Sequence, residues 1–154
     1  MAPSAPVLFN YDTDFDGAPG RLIQKGGSGA DETDIARHQV WRTPALTADF
    51  TVQGTVQAEL WAAIKDFTTG KQGLATVYVR DYSGGSATTI AQGSFTLPGV
   101  VAAWVPTTVT MNVGSYTIVT GHSLELKVIV STSSEDDMWF AYDTSAYPSR
   151  VAGY

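Results

Sequence analysis

The chain has 154 residues, a formal net charge of −6 and no cysteine. The lack of cysteine excludes disulfide bonds, thiolate metal sites and a cysteine nucleophile. The nine basic residues are scattered singly, which argues against nucleic-acid binding, because neutralising phosphates requires clustered Lys and Arg. No apolar run approaches the ~20 residues of a membrane-spanning helix.

The N-terminal stretch M-A-P-S-A-P-V predicts an extended arm over residues 1–6. It has neither the basic nor the apolar region of a secretory signal. The protein is therefore expected to act inside the cell that makes it, to leave by lysis or a non-classical route, or to have had its signal removed. Residues 7–154 are expected to form one domain, which buries about two-thirds of the surface of the unfolded chain.

The first part of this domain contains short strand candidates separated by polar turns. The predicted strands are Val7–Asn10, Arg21–Gln24 and Gln39–Arg42. The G-G-S-G stretch from Gly26 to Gly29 predicts a flexible turn. The segment Ala30–His38 is either a helical turn with Asp31 as its N-cap or an acidic loop.

Strict alternation of apolar and polar residues predicts three longer strands, at residues 55–64, 75–82 and 123–131. Shorter candidates are Thr89–Thr96, Thr107–Val113 and Met138–Tyr142. The side chains expected to face the core are Val56, Ala58, Leu60, Ala62, Ile64, Ala75, Val77, Val79, Leu124, Leu126, Val128 and Val130. Strand-sized segments of this kind, with glycine-rich breaks between them, are typical of an all-β sandwich.

The sequence offers little for catalysis. It has only two histidines, His38 and His122, and neither lies at a defensible triad spacing from a serine or a carboxylate. G-G-S-G lacks the spacing of a nucleophile elbow, and T-T-G-K-Q-G lacks that of a phosphate-binding loop. We therefore predict no catalytic residues and no enzymatic activity.

Acidic residues are the main candidates for a metal site. D-T-D-F-D-G places Asp12, Asp14 and Asp16 on alternate positions, as in the opening of an EF-hand, but Ile23 occupies the position of the bidentate Glu. A calcium site assembled from separate loops could still join these residues to a second acidic group near the C-terminus, formed by Asp136, Asp137 and Asp143. The alternative is that these aspartates cap turns and accept bonds from backbone amides.

Trp61 is the candidate for ligand binding, because it falls on the polar side of a strand whose other face is aliphatic. An exposed aromatic ring on a flat sheet can stack on a sugar. A covering loop, a second sheet or an assembly contact would bury it equally well.

The stretch from Trp41 to Val130 resembles a known domain. The segments that carry this resemblance are, in order, W-R-T-P-A-L, V-Q-G-T-V-Q-A-E-L-W, L-A-T-V-Y-V-R-D-Y, I-A-Q-G-S-F and G-H-S-L-E-L-K-V. This order resembles the galactose-binding-like jelly roll that follows the catalytic domain in X-Pro dipeptidyl-peptidases and cocaine-esterase-type hydrolases. The resemblance implies an antiparallel jelly-roll β-sandwich of about eight to ten strands and a non-catalytic role. The two acidic segments are not part of it.

Three classes of function follow from these observations. The first is a structural module of a larger assembly, above all a bacteriophage virion protein such as a capsid decoration protein, with protein partners and a place on the virion surface. The second is a carbohydrate-binding or cell-surface module, stabilised by calcium, that acts outside the cell. The third, an enzyme, is the least favoured, and the first is preferred to the second by a small margin.

Overall fold

The computed structural model describes residues 21–31, 33–66, 70–99, 104–141 and 150–153. These residues form nine strands and no helix, so no helix among them is long and apolar enough to cross a membrane. The strands are β1 (Arg21–Ile23), β2 (His38–Arg42), β3 (Phe50–Ile64), β4 (Gly70–Ser83), β5 (Ser86–Gly99), β6 (Val105–Ile118), β7 (Ser123–Val130), β8 (Met138–Phe140) and β9 (Arg150–Gly153).

The strands form two antiparallel sheets that pack face to face. The first sheet has the order β1-β8-β3-β6, and β9 pairs with β3 beside β8. The second sheet has the order β2-β7-β4-β5. The predicted all-β jelly-roll sandwich is therefore confirmed.

The core lies between the two sheets and contains the residues that the alternation assigned to it. All twelve predicted inward-facing side chains are at least nine-tenths buried, for example Ala58, Val77 and Val128 at 0 % exposure. The facing sheets pack closely at two glycines of the second sheet: a Cβ atom at Gly73 of β4 would lie 2.5 Å from Ile64 Cδ1, and one at Gly93 of β5 would lie 2.6 Å from Val109 Cγ1.

Several predicted elements differ from those observed. β3 begins at Phe50 rather than at Thr55, because Gly54 adopts φ +75° opposite Gly114 at a bulge and lets the strand continue through the glycines. β9 was not predicted at all. The described residues between Ala30 and Arg37 form a loop, in which Asp31 Oδ1 accepts bonds from the backbone N–H groups of Thr33 and Asp34, and His38 already belongs to β2.

Two predicted backbone segments lie wholly outside the described residues. They are the extended arm over residues 1–6 and the strand Val7–Asn10.

Candidate functional site: a cleft on the outer face of the second sheet

A row of charged side chains crosses the outer face of the second sheet. Arg42 on β2 and Arg80 on β4 are the cross-strand neighbours of Glu125 on the central strand β7. Arg42 Nε donates to Glu125 Oε2 at 2.5 Å, and Arg80 Nε donates to Glu125 Oε1 at 2.6 Å. The exposed fractions are 3 % for Arg80 and 0 % for Glu125. One buried carboxylate thus holds two guanidinium groups in fixed orientations.

Residues 24–31 and 33–37, which we call the covering loop, join β1 to β2, and the part around Gly29 and Asp31 lies over this face. Lys127, at 0 % exposure, donates from Nζ to the backbone carbonyls of Gly29, at 3.1 Å, and Asp31. Arg80 Nη1 also donates to the Gly29 carbonyl, at 3.3 Å. Hydrogen bonds from two buried cationic side chains therefore hold the loop against the sheet beneath it.

The glycines of G-G-S-G allow this close approach. A Cβ atom at Gly27 would lie 2.5 Å from the Arg37 carbonyl oxygen, and one at Gly29 would lie 2.5 Å from Tyr78 Cζ. Both contacts are shorter than a side chain tolerates. The predicted turn is present at Gly29 and Ala30, and the close packing of Gly27 and Gly29 favours a fixed conformation for it over a flexible one.

The opposite wall is the hairpin between β4 and β5. Its two-residue turn consists of Gly84 and Gly85, which both have positive φ, at 59° and 81°. Glycine adopts such angles without steric cost, and two positive φ values match the twist of a tight hairpin. The turn places Ser86 at the start of β5, and Thr89 becomes the cross-strand neighbour of Arg80.

A cleft of about 580 Å³ opens between the covering loop and this hairpin. Its volume falls within the range of small-ligand sites. The loop contributes Gly29 and Ala30, β4 contributes Tyr78 and Arg80, and the hairpin contributes Gly85, Ser86, Ala87 and Thr89. The lining thus combines one phenol side chain, small residues, the two aliphatic hydroxyl groups of Ser86 and Thr89, and one arginine.

Sequence reasoning missed this cleft. The alternation did place Tyr78 and Arg80 on the face opposite Val77 and Val79, and that was the available signal. It did not indicate that residues from positions 29 and 86 would meet there.

The acidic residues proposed for calcium are only partly described. Asp136 Oδ2 accepts the Asp66 N–H at 2.7 Å, and Asp137 Oδ1 accepts the Lys25 N–H at 2.9 Å. Among the residues that the structure places, no group of three His, Asp or Glu side chains could hold a metal ion. Asp12, Asp14, Asp16 and Asp143 lie outside the described residues, so the calcium site stays a prediction.

Trp61 lies on the outer face of the first sheet and is partly buried. It packs against a small apolar cluster of Ala63, Trp104 and Ala141, and Trp139 packs against the same cluster. This packing favours the alternative in which Trp61 is buried over the one in which its ring is freely exposed. Binding of a ligand by Trp61 stays a prediction.

The two histidines occupy different environments. His38 is buried on β2. His122 Nδ1 lies 2.8 Å from Asp81 Oδ1, and the second oxygen of Asp81 accepts the Tyr116 hydroxyl at 2.8 Å. Asp81 belongs to the second sheet and Tyr116 to the first, so this carboxylate joins the two sheets at one end of the sandwich.

We expect Tyr116 to ionise only at high pH. The hydrogen bond to Asp81, together with burial and the charge of Asp81, raises the pKa of Tyr116 above its ordinary value of 10.0. The folded state holds this proton more tightly than the unfolded state, so the stabilisation is complete below about pH 10 and is lost as the pH rises through the folded-state pKa. In an ultraviolet titration of phenolate formation, Asp81→Asn should lower the pKa of this tyrosine; an unchanged titration curve would contradict the assignment.

The sandwich belongs to the all-β jelly rolls, and similar domains occur in solved hydrolase structures. An α-amino acid ester hydrolase matches with a TM-score of 0.68 and 12 % identity over 93 % of this chain and 33 % of its own. A CocE/NonD family hydrolase from Staphylococcus aureus matches with a TM-score of 0.65 and 12 % identity over 88 % of this chain and 33 % of its own. An aminopeptidase from the marine sediment archaeon Thaumarchaeota archaeon matches with a TM-score of 0.64 and 16 % identity over 79 % and 26 %.

These likenesses confirm, at the level of the fold, the resemblance to the jelly roll of cocaine-esterase-type hydrolases. The chain spans about a quarter to a third of the length of the hydrolases that it matches. Identities this low show a shared fold and leave function to be argued from the site. No protein-family model matches the sequence, and no curated protein matches it.

Proposed function

We propose that this chain is a non-catalytic module that binds a saccharide in the cleft between the covering loop and the β4–β5 hairpin. The observation that carries the proposal is the lining, in which one cleft brings together Tyr78, Ser86 and Thr89. A sugar presents apolar C–H faces and hydroxyl edges. An aromatic ring can pack against the C–H faces, and protein hydroxyl groups can donate hydrogen bonds to the sugar hydroxyls and accept hydrogen bonds from them.

The lining also favours binding over hydrolysis. Glycoside hydrolysis generally requires two carboxyl groups on either side of the scissile bond. The residues that line the described cleft include neither a carboxylate nor a histidine. A saccharide held there would therefore meet no pair of carboxyl groups among the described lining residues.

Glycan-array screening followed by calorimetry tests this proposal. We expect the wild-type chain to bind at least one saccharide, and Tyr78→Ala to weaken that binding about tenfold or more, which corresponds to about 1.4 kcal/mol. The matched control is Tyr82→Ala. Tyr82 lies on the same strand, its ring stacks on Arg42, and it does not line the cleft. Melting curves of both variants verify folding. Equal affinity in the wild type and in a folded Tyr78→Ala variant would contradict the proposal.

A second candidate function is attachment to a protein assembly, such as a bacteriophage virion or a cell-surface layer. It is supported by β5 and β6, which each contain 14 residues and no charged residue. Each is an edge strand of its sheet in the described part of the chain, and the two strands contact each other. Long edge strands without charges favour pairing with strands of another chain.

The two candidates differ in solution behaviour. An assembly component should self-associate on a sizing column or purify with a particle at fixed stoichiometry, and a Lys introduced at Ser94, an exposed β5 position, should reduce this association. A monomer that binds a saccharide supports the first candidate alone.

A further inference from the structure

The path of β5 decides which of its side chains reach the cleft. Val79 of β4 pairs with Ala91 and Arg80 pairs with Thr89, so Ile90 is the extra residue of a β-bulge. In a regular strand Thr89 would lie on the same face as Ala91, which is buried in the core. The bulge instead places Thr89 on the outer face beside Arg80, where it lines the cleft.

Three hydroxyl groups of the lining are available to a ligand. They belong to Tyr78, Ser86 and Thr89, and no described residue forms a hydrogen bond with any of them. Ser86 and Thr89 are exposed, and Tyr78 is partly buried. A hydroxyl group both donates and accepts hydrogen bonds, as the hydroxyl groups of a sugar do. The lining therefore suits a ligand whose polar groups are uncharged.

Arg80 is already engaged within the protein. Its Nε and Nη2 atoms bind Glu125 Oε1, and its Nη1 atom donates to the Gly29 carbonyl. The residue is 3 % exposed, so a ligand in the cleft meets little of the guanidinium group. Any additional contact of Arg80 within the chain engages it further. Arg80 therefore forms the floor of the cleft and offers little to an anionic ligand.

No other positive charge lines the cleft. Arg80 is the one charged residue of the described lining, and β5, on the hairpin wall, has no charged residue. The residues outside the described ranges include no Lys, Arg or His, so their side chains can add no positive charge. A carboxylate or sulfate in the cleft would lose water without gaining a new ion pair, and it would approach a chain with a net charge of −6.

We infer that the cleft binds a neutral saccharide and that Thr89, placed in the lining by the bulge at Ile90, is a specificity-determining residue that exchanges a hydrogen bond with a sugar hydroxyl. This inference rests on the proposed saccharide-binding function. The ring of Tyr78 packs against the C–H face of the sugar, and the hydroxyl groups of Ser86 and Thr89 bind its edge. An acidic saccharide of the same linkage would make these contacts at the added cost of desolvating its charge.

Matched pairs of saccharides test the substrate class on the full chain. The pairs are β-1,4-glucan with β-1,4-glucuronan, β-1,4-mannan with β-1,4-mannuronan, and α-1,4-galactan with α-1,4-galacturonan, each as short oligomers in calorimetry. We expect the neutral member of at least one pair to bind, and its uronate partner to bind about tenfold more weakly or worse at low salt. The affinity for the neutral member should hardly change with salt, because no ion pair contributes to it.

The outcomes separate this inference from the proposed function. A uronate that binds as tightly as its neutral partner, or more tightly, overturns the inference and leaves the proposed function standing. Failure of all six oligomers to bind also overturns the inference. Failure of every saccharide on the glycan array as well overturns the proposed function.

Substitutions at Thr89 test its role in specificity. Thr89→Val keeps the shape of the side chain and removes the hydroxyl group, so it should weaken binding of the neutral oligomer about three- to tenfold. Thr89→Ser keeps the hydroxyl group and should bind within about twofold of the wild type. The matched control is Thr96→Val, at an exposed position of the same strand that does not line the cleft, which should leave the affinity unchanged. Melting curves verify that each variant is folded.

Monodeoxy forms of the neutral oligomer identify the contact. If Thr89 binds one sugar hydroxyl, Thr89→Val should weaken binding of every form except the one that lacks this hydroxyl. That form should bind the wild type and Thr89→Val equally well. Equal losses for all forms, or an unchanged affinity of a folded Thr89→Val variant for the parent oligomer, would overturn the role assigned to Thr89.

Discussion

Glu125→Gln is expected to lower the free energy of unfolding by about 3–5 kcal/mol, the usual effect of removing one partner from a buried ion pair. The substitution keeps the shape of the side chain and removes the charge that binds Arg42 and Arg80. Arg80, at 3 % exposure, cannot reach water to recover its solvation. Urea denaturation of the wild type and the variant measures this loss. The slope of the unfolding free energy against urea concentration is compared between the two proteins.

The matched control is Asp34→Asn. It breaks the Asp34–Arg37 pair, in which the exposed fractions of the side chains are 30 % and 44 %. Such a pair is expected to contribute less than about 1 kcal/mol. Similar losses in the two variants would contradict the view that Glu125 is the buried centre of the charged row.

Lys127→Met is expected to lower the free energy of unfolding by about 1–3 kcal/mol and to loosen the covering loop. The variant removes the Lys127 donor to the carbonyls of Gly29 and Asp31. The Gly29 carbonyl keeps its bond from Arg80, so the cost comes mainly from the part-buried Asp31 carbonyl, and losing such a bond has a cost of that order. Gly29 and Ala30 form one wall of the cleft. Saccharide affinity should therefore fall together with stability.

Hydrogen exchange across residues 26–31 measures this loosening, because local opening of the loop accelerates exchange there before the rest of the protein unfolds. Lys65→Met is the control, since Lys65 is 53 % exposed and its Nζ lies 3.7 Å from Asp137. Unchanged exchange across the loop in Lys127→Met would show that something other than Lys127 holds the loop in place.

The fold could be predicted because apolar and polar residues alternate along its strands. Leu124, Leu126 and Val128 alternate with polar residues on β7, and this alone assigned them to the core. The limits of β3 were less predictable. A glycine inside a strand usually suggests a break, and only the pairing of Gly54 with Gly114 shows that a bulge continues the strand.

The candidate site was not predictable because its residues are distant in sequence. Arg80 meets Glu125 across 45 positions, and Lys127 meets Gly29 across 98. Their contact depends on the order of the strands, which periodicity does not determine. Glu125 and Lys127 also look like the solvent side of an alternating strand. Glu125 is instead enclosed by its pairs with Arg42 and Arg80, and Lys127 is covered by the loop whose carbonyls it binds.

The most direct test of the proposed binding site is a two-dimensional amide NMR titration of the labelled chain with the saccharide that binds best on the array. We expect shift changes to concentrate at Gly29 and Ala30 on one wall of the cleft and at Gly85, Ser86, Ala87 and Thr89 on the other. Changes confined to the outer face of the first sheet around Trp61 would contradict it and would move the site to the tryptophan cluster.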